Sequence, residues 1–370
     1  MTSQIQNKLN FFSLSAFYFF YFAAVGVYVI FLPKVLYDLG YSPSQIGTVF
    51  ALAPLMRFIT PFFFLKHVEL NKKIFINALI VCIFCAISFY LTINNFYAFL
   101  ISNLILGMSL SLVLPYMEIY AIELLGKEKY GKSRLYGSIG FALIAFVLAK
   151  LLDDSYMALH FYLIVTLGTA IFAIWIVAKE KDKTKNALEG EEKFSIFKHW
   201  SFWVSLFLMQ VSFGGFYNFF TIYETSHGIS LETTSYLWIF GVVCEIILFY
   251  YQAPLLKKNL LIIIKFSLLI TSFRWLIVYL YPENLYLMYF SQSIHAISFG
   301  LYHSAVILYL YNMYEDKKLA QQFMYGVAYG LGGFVGALLS GWLYGENLFL
   351  YCSLITLLGY LVISRDKEKL

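Results

Sequence analysis

Apolar residues run through this chain in long unbroken windows separated by short polar breaks, not in the one-sided stripes of soluble helices. A helix needs about 20 such residues to cross roughly 30 Å of hydrocarbon. Windows of that kind fall at 11–32, 46–65, 74–93, 96–118, 134–152 and 157–178. A second set follows at 202–223, 233–251, 260–280, 285–310, 323–344 and 348–364. The pattern predicts an all-α integral membrane fold with twelve transmembrane helices in two six-helix bundles. The first window is a retained helix, because it runs long and uncharged and lacks a small-residue cleavage site.

The breaks organise the chain. Several are very short, such as Asn94-Asn95, Asp153 to Tyr156 and Pro282-Glu283-Asn284, which predicts antiparallel helical hairpins. The exception begins at Lys179, where KEKDKTKNALEGEEKFSIFKHW carries six Lys and five acids. It divides the chain into an N-terminal half over 1–180, a linker over 181–201 and a C-terminal half over 202–370. Gly40-Tyr41-Ser42 and Gly228-Ile229-Ser230 each begin 17 residues before a charge inside an apolar window, Arg57 and Glu245. Tyr136-Gly137 and Tyr325-Gly326 repeat at almost the same offset, so the halves read as homologous, an arrangement that places substrate where they meet near the membrane midplane. Gly326-x-x-x-Gly330, Gly332-x-x-x-Gly336 and Ala337-x-x-x-Gly341 read as close helix packing. Gly214-Gly215, beside Asn218, reads as a point where the seventh helix can loosen.

Composition agrees with the windows: 61% of residues are hydrophobic and only 13% charged, against about 25% charged in soluble domains. Lys and Arg then orient the chain. With the N-terminus inside, 20 basic residues fall in cytoplasmic breaks and two, Lys34 and Lys150, on the other side, so both termini are expected in the cytoplasm. This asymmetry accounts for the net charge of +5 without a nucleic-acid partner. All four cysteines lie in apolar windows, and Cys82-x-x-Cys85 reads as packing rather than as a redox or metal motif.

Six side chains stand out inside those windows: Arg57, Glu118, Glu245, Arg274, His295 and His303. A helix-central Arg or Asp costs roughly 2.5–3.5 kcal/mol on insertion scales, so these are the candidates for a working site. Helix rise places Glu245, Arg274 and His295 at a shared depth, with His303 deeper. A carboxylate, a guanidinium and an imidazole in one layer can pass a proton, since protonating one changes the pairing of the others. The alternative role for such a cluster is a buried ion pair that fixes helix register.

YGKSRLYGSIGF at Arg134 resembles the start of the fifth helix of proton-coupled permeases of the major facilitator superfamily. FYFFYFAAVGVY, SYLWIFGVVCEIILF, FRWLI and IHAISFGLYHSA extend the similarity to the phenylpropionate permease branch, which is related to lactose permease. The resemblance implies that Glu118 and Arg134 hold substrate and that Glu245, Arg274 and His295 belong to the second-half site. There are two departures. Ser298 stands where lactose permease carries its proton-releasing carboxylate, while His303 is added, and the superfamily loop between the second and third helices is degraded to Phe64 through Lys73.

The combined reading is a proton-coupled symporter of a bacterial inner membrane, a monomer working by alternating access with no cofactor beyond the proton gradient. Substrate would be held by Arg57, Glu118, Arg134, Asn218 and Arg274, and protons handled by Glu245, His295 and His303. Three arginines against two acids leave one positive charge, which an organic anion, foremost an aromatic carboxylate, would balance. Tyr116, Tyr120, Phe216 and Tyr217 could stack on its ring. A neutral sugar or nucleoside held by the same Glu and Arg groups is the alternative. A membrane-embedded transferase using His295 or His303 as base is a more remote one.

Overall fold

The computed structural model describes residues 3–67, 71–152, 154–178, 197–315 and 317–365. Of the linker expected at 181–201, residues 181–196 lie outside the described residues, as do residues 68–70 of the degraded loop. Among the described residues the ordered structure is helical, with no strand. The chain forms two compact units, Met1–Lys185 and Asn186–Leu370.

In the first unit the helices are α1 (Lys8–Asp38), α2 (Pro43–His67), α3 (Lys72–Thr92), α4 (Phe96–Gly126), α5 (Lys129–Leu151) and α6 (Ser155–Val177). The second contains α7 (Trp200–Ser226), α8 (Leu231–Tyr251), α9 (Leu260–Leu280), α10 (Leu285–Met313), α11 (Leu319–Trp342) and α12 (Leu348–Ser364). Among the described residues nine of these are long and apolar enough to cross a membrane, and α12 is a shorter apolar helix. Helices α2 and α7, which carry Arg57 and the polar series Gln210, Asn218 and Glu224, stand outside those nine.

Helix starts follow the sequence closely. Asn71, Asn95, Asn259 and Asn284 each accept the backbone N–H three residues on, satisfying a donor that a helix end leaves open. Gly40 and Gly228 both adopt a φ of 87°, the left-handed value that ends α1 and α7 without the penalty a Cβ would bring.

Small residues set the helix crossings that position the site. In the YGKSRLYGSIGF stretch, Gly140 lies so close to α1 that a Cβ would sit 2.1 Å from the Phe19 carbonyl oxygen. That glycine is therefore a packing element. Gly336 of α11 does the same against Val211 of α7, as expected from its spacing. Gly214-Gly215 departs from the expectation of a loosened helix. α7 runs unbroken through both, because Gly214 faces the backbone of Gly336 and Gly215 faces the Cys352 sulfur. The four cysteines are free thiols.

Among the described residues three helices widen into π-turns, at Val27–Phe31 in α1, Ala296–Leu301 in α10 and Tyr325–Gly332 in α11. Such turns are uncommon and concentrate where function demands a local change of helix phase. The α10 turn lies between His295 and His303. A four-residue step overshoots an α-helical turn by about 40°, and the wider π-turn offsets that drift. His295, Phe299 and His303 consequently stack on one stripe, with centroids 5.5 and 6.2 Å apart and planes within 14°.

Candidate functional site

In the first half, Arg134 of α5 donates to Glu118 of α4 at 2.6 Å and to the Tyr130 hydroxyl at 3.2 Å. Its guanidinium also lies over the Phe22 ring of α1, 5.7 Å from the centroid. The pair is partly open to its surroundings, with the Arg134 side chain 42% and Glu118 24% exposed. Tyr18 and Tyr21 of α1 lie within electrostatic reach of both members. Arg57 of α2 is exposed and within reach of Tyr21 and Tyr28, and no acid pairs with it among the described residues. One α1 face thus looks onto all three expected first-half residues. Tyr116 is engaged elsewhere, stacked on Phe75 with centroids 4.3 Å apart.

The second half buries Arg274 and His295 and half-buries Glu245 and His303. Arg274 of α9 is fully buried, with its guanidinium 4.5 Å from the Phe216 centroid and 4.4 Å from that of Trp275. Two hydrogen bonds hold it in α10, to Gln292 Oε1 and His295 Nδ1, both at 3.1 Å. A guanidinium only donates, so the Nδ1 of His295 must present its lone pair and the ring proton must sit on Nε2. Nε2 faces the Glu245 Oε2 of α8 at 3.7 Å, an ion-pair distance longer than a hydrogen bond. His295 therefore stands between Arg274 and Glu245. The layer expected from helix rise is present as an ordered series, guanidinium to imidazole to carboxylate.

His303 meets the Tyr329 hydroxyl of α11 at 2.7 Å and joins the stack below Phe299. Asn218, one turn beyond Gly214, donates to that residue's carbonyl at 2.8 Å and keeps its own amide oxygen as an acceptor. The Ser298 hydroxyl is buried without a hydrogen-bond partner among the described residues.

Three partners escaped the sequence reading. Gln292 is uncharged, and the signal for it was its position three residues before His295, which puts both on one helix face. Tyr130 stands four residues before Arg134 for the same reason. Tyr28 donates to the buried Asn103 at 3.0 Å, linking α1 to α4. Among the described residues no group of His, Cys, Asp and Glu is arranged to hold a metal ion.

Long apolar helices that hold ionisable side chains inside their bundles define an integral membrane protein that handles an ion or polar solute. The family and relatives below make it a transporter rather than an enzyme. The profile of the MFS_1 like family matches residues 11–352, and the chain belongs to that family. It is 24% identical over 377 residues to a probable 3-phenylpropionic acid transporter of Escherichia coli (strain K12), covering 92% of this chain and 93% of that one. An uncharacterized transporter, YwbF, of Bacillus subtilis (strain 168) is also 24% identical, over 83% and 79% of the two chains. Among solved structures, the nucleoside transporter NupG superposes with a TM-score of 0.77 at 15% identity over 97% of this chain and all of that one. A D-xylose-proton symporter gives 0.70 at 11% identity, over 98% of each chain. At such identities the last two speak to the fold alone.

Proposed function

We propose that this transporter is a proton-coupled symporter that takes up a small organic anion, foremost an aromatic carboxylate, across a bacterial inner membrane with both termini in the cytoplasm. The observation that carries this reading is the buried Arg274, whose two hydrogen bonds go to a neutral amide and a neutral imidazole rather than to a carboxylate. An uncompensated buried cation is costly, and an incoming carboxylate would meet it with a bidentate pair.

Coupling follows from the order of the series. A substrate carboxylate on Arg274 competes with His295 for the guanidinium and releases the Nδ1 lone pair. A released Nδ1 can take a proton, and the imidazolium then pairs with Glu245 beside Nε2. Anion and proton favour each other through shared contacts, which is the differential interaction that linkage requires. His303 and Tyr329 extend the same stripe and would carry the proton onward. Arg57, Glu118, Arg134 and Asn218 would bind the remainder of the substrate, and the monomer would cycle by alternating access.

The partly exposed Glu118–Arg134 pair favours a second reading, a sugar or nucleoside symporter, because both side chains remain available to hydroxyl groups. Solute accumulation by reconstituted protein under an imposed proton gradient separates the two. Accumulation of 3-phenylpropionate that an uncoupler collapses supports the anion reading. Accumulation of xylose or a nucleoside in its place would replace it.

A further inference from the structure

Glu224 lies at the end of α7, one residue past the apolar window, and the series built on Arg274 does not use it. It is fully buried, and neither carboxylate oxygen has a hydrogen-bond partner among the described residues. The titratable groups at this end of the second half have other contacts. His227 bonds the Tyr223 carbonyl at 2.8 Å, Glu232 of α8 accepts from Tyr236, and Tyr279, Tyr344 and Glu346 act on Tyr223. Tyr223 lies within electrostatic reach of Glu224 but gives its hydroxyl to the Glu346 carbonyl at 3.2 Å, not to the Glu224 carboxyl. No cation from these packed elements faces the Glu224 carboxyl among the described residues.

The first half shows what packing alone asks for at this place. The Leu36 carbonyl accepts from Tyr41 N–H at 3.0 Å, and the Glu224 carbonyl accepts from Ile229 N–H at 3.1 Å, each turn closing on a glycine with a φ of 87°. Leu36 and Glu224 are therefore equivalent positions, and Leu36 is also fully buried. A leucine fills the site without cost, whereas an ionised carboxyl there would lose its hydration with nothing in return. A carboxyl with a proton on it avoids that loss.

We propose that Glu224 is a proton-binding site of the transport cycle, holding one proton as the neutral acid in this conformation and releasing it to water in the conformation that wets the end of α7. The step is Glu224–COOH to Glu224–COO⁻ with the proton passed to water, and no electron moves. This rests on the proton-coupled reading above. A contact path joins the site to the charged series. Thr221, one turn back from Glu224, accepts the Trp238 indole N–H at 3.1 Å, and Trp238 stacks on Phe216 with centroids 4.3 Å apart. Phe216 in turn lies against Arg274 and His295. Glu224 is about 12 Å along α7 from Phe216.

Infrared difference spectra of the purified full-length protein, recorded across a pH titration, test the site without reference to any substrate. A protonated-carboxyl band that is present in the parent and absent from Glu224→Gln is the expected result. In proteoliposomes Glu224→Gln should bring proton-driven accumulation down to simple equilibration while counterflow continues. An unchanged band in the variant, or accumulation equal to the parent's under the same gradient, would overturn the proposal. So would a band lost on adding sodium at fixed pH, which would make the site a cation site. If the band is assigned to Glu224 yet no solute accumulates under a proton gradient, the site stands and the symport reading fails.

Discussion

Asn71 and Asn259 begin α3 and α9, and Asn95 and Asn284 begin α4 and α10, with the same side-chain cap in each case. These caps set the two halves in a common register, and in that register their interiors differ. Arg274 answers to Ala86 and His295 to Leu106, both of them buried and apolar. Glu245 answers to Arg57, Gln292 to Asn103 and Glu224 to Leu36. Conversely Glu118 and Arg134 answer to Ile307 and Phe323. The second half thus buries a guanidinium, an imidazole and one acid, Glu224, and half-buries a second, Glu245, at positions where the first half packs carbon or carries a lone exposed cation. The first half keeps its ion pair nearer the surface. A common scaffold tolerates both arrangements because its helix crossings rest on small residues, Gly107 on Ala53 in α4 and α2, and Gly336 on Val211 in α11 and α7. The difference fits the proposed division of labour, in which the more open pair and Arg274 would meet substrate and the His295–Glu245 contact would carry the coupling.

The largest effect is expected at the first-half pair. Glu118→Gln should abolish uptake while changing stability by less than about 1 kcal/mol, since exposed ion pairs contribute little. Uptake and melting temperature measured on one preparation check this, and intact uptake would move the first-half site elsewhere. A smaller effect, on stability, comes from exchanging the equivalent residues at the helix ends. Leu36→Glu should cost about 1–3 kcal/mol, as expected for a buried polar group without a partner. Glu224→Leu should leave the melting temperature unchanged or higher. Equal losses from both changes would mean that Glu224 has a partner and that the two ends are not equivalent in packing.

The apolar windows read in the sequence became helices because span length and backbone self-sufficiency leave few alternatives in a bilayer. The charged residues were legible for a related reason, since a charge in such a window has no packing role. What the sequence left unread are neutral or terminal groups. Gln292 and Tyr130 carry no charge to mark them, and their roles depend on which helix face meets Arg274 or Arg134. Glu224 falls just past an apolar window and reads as an interfacial acid. It is buried because α7 continues to Ser226 and its last turn packs inside the second half. The order of the series was also hidden, because helix rise gives a depth and not an azimuth. Only the side-chain contacts place His295 between Arg274 and Glu245.

The central claim of the proposed function is that the second half's series takes the substrate carboxylate on Arg274 and couples it to a proton, while the first half's pair binds the remainder of the substrate. Its most direct test is the double variant Glu245→Gln, His295→Gln in proteoliposomes, with counterflow and gradient-driven accumulation measured side by side. Counterflow is expected to persist while accumulation falls to equilibration. Accumulation that persists in the double variant and is still collapsed by an uncoupler would contradict that claim and place coupling outside this series.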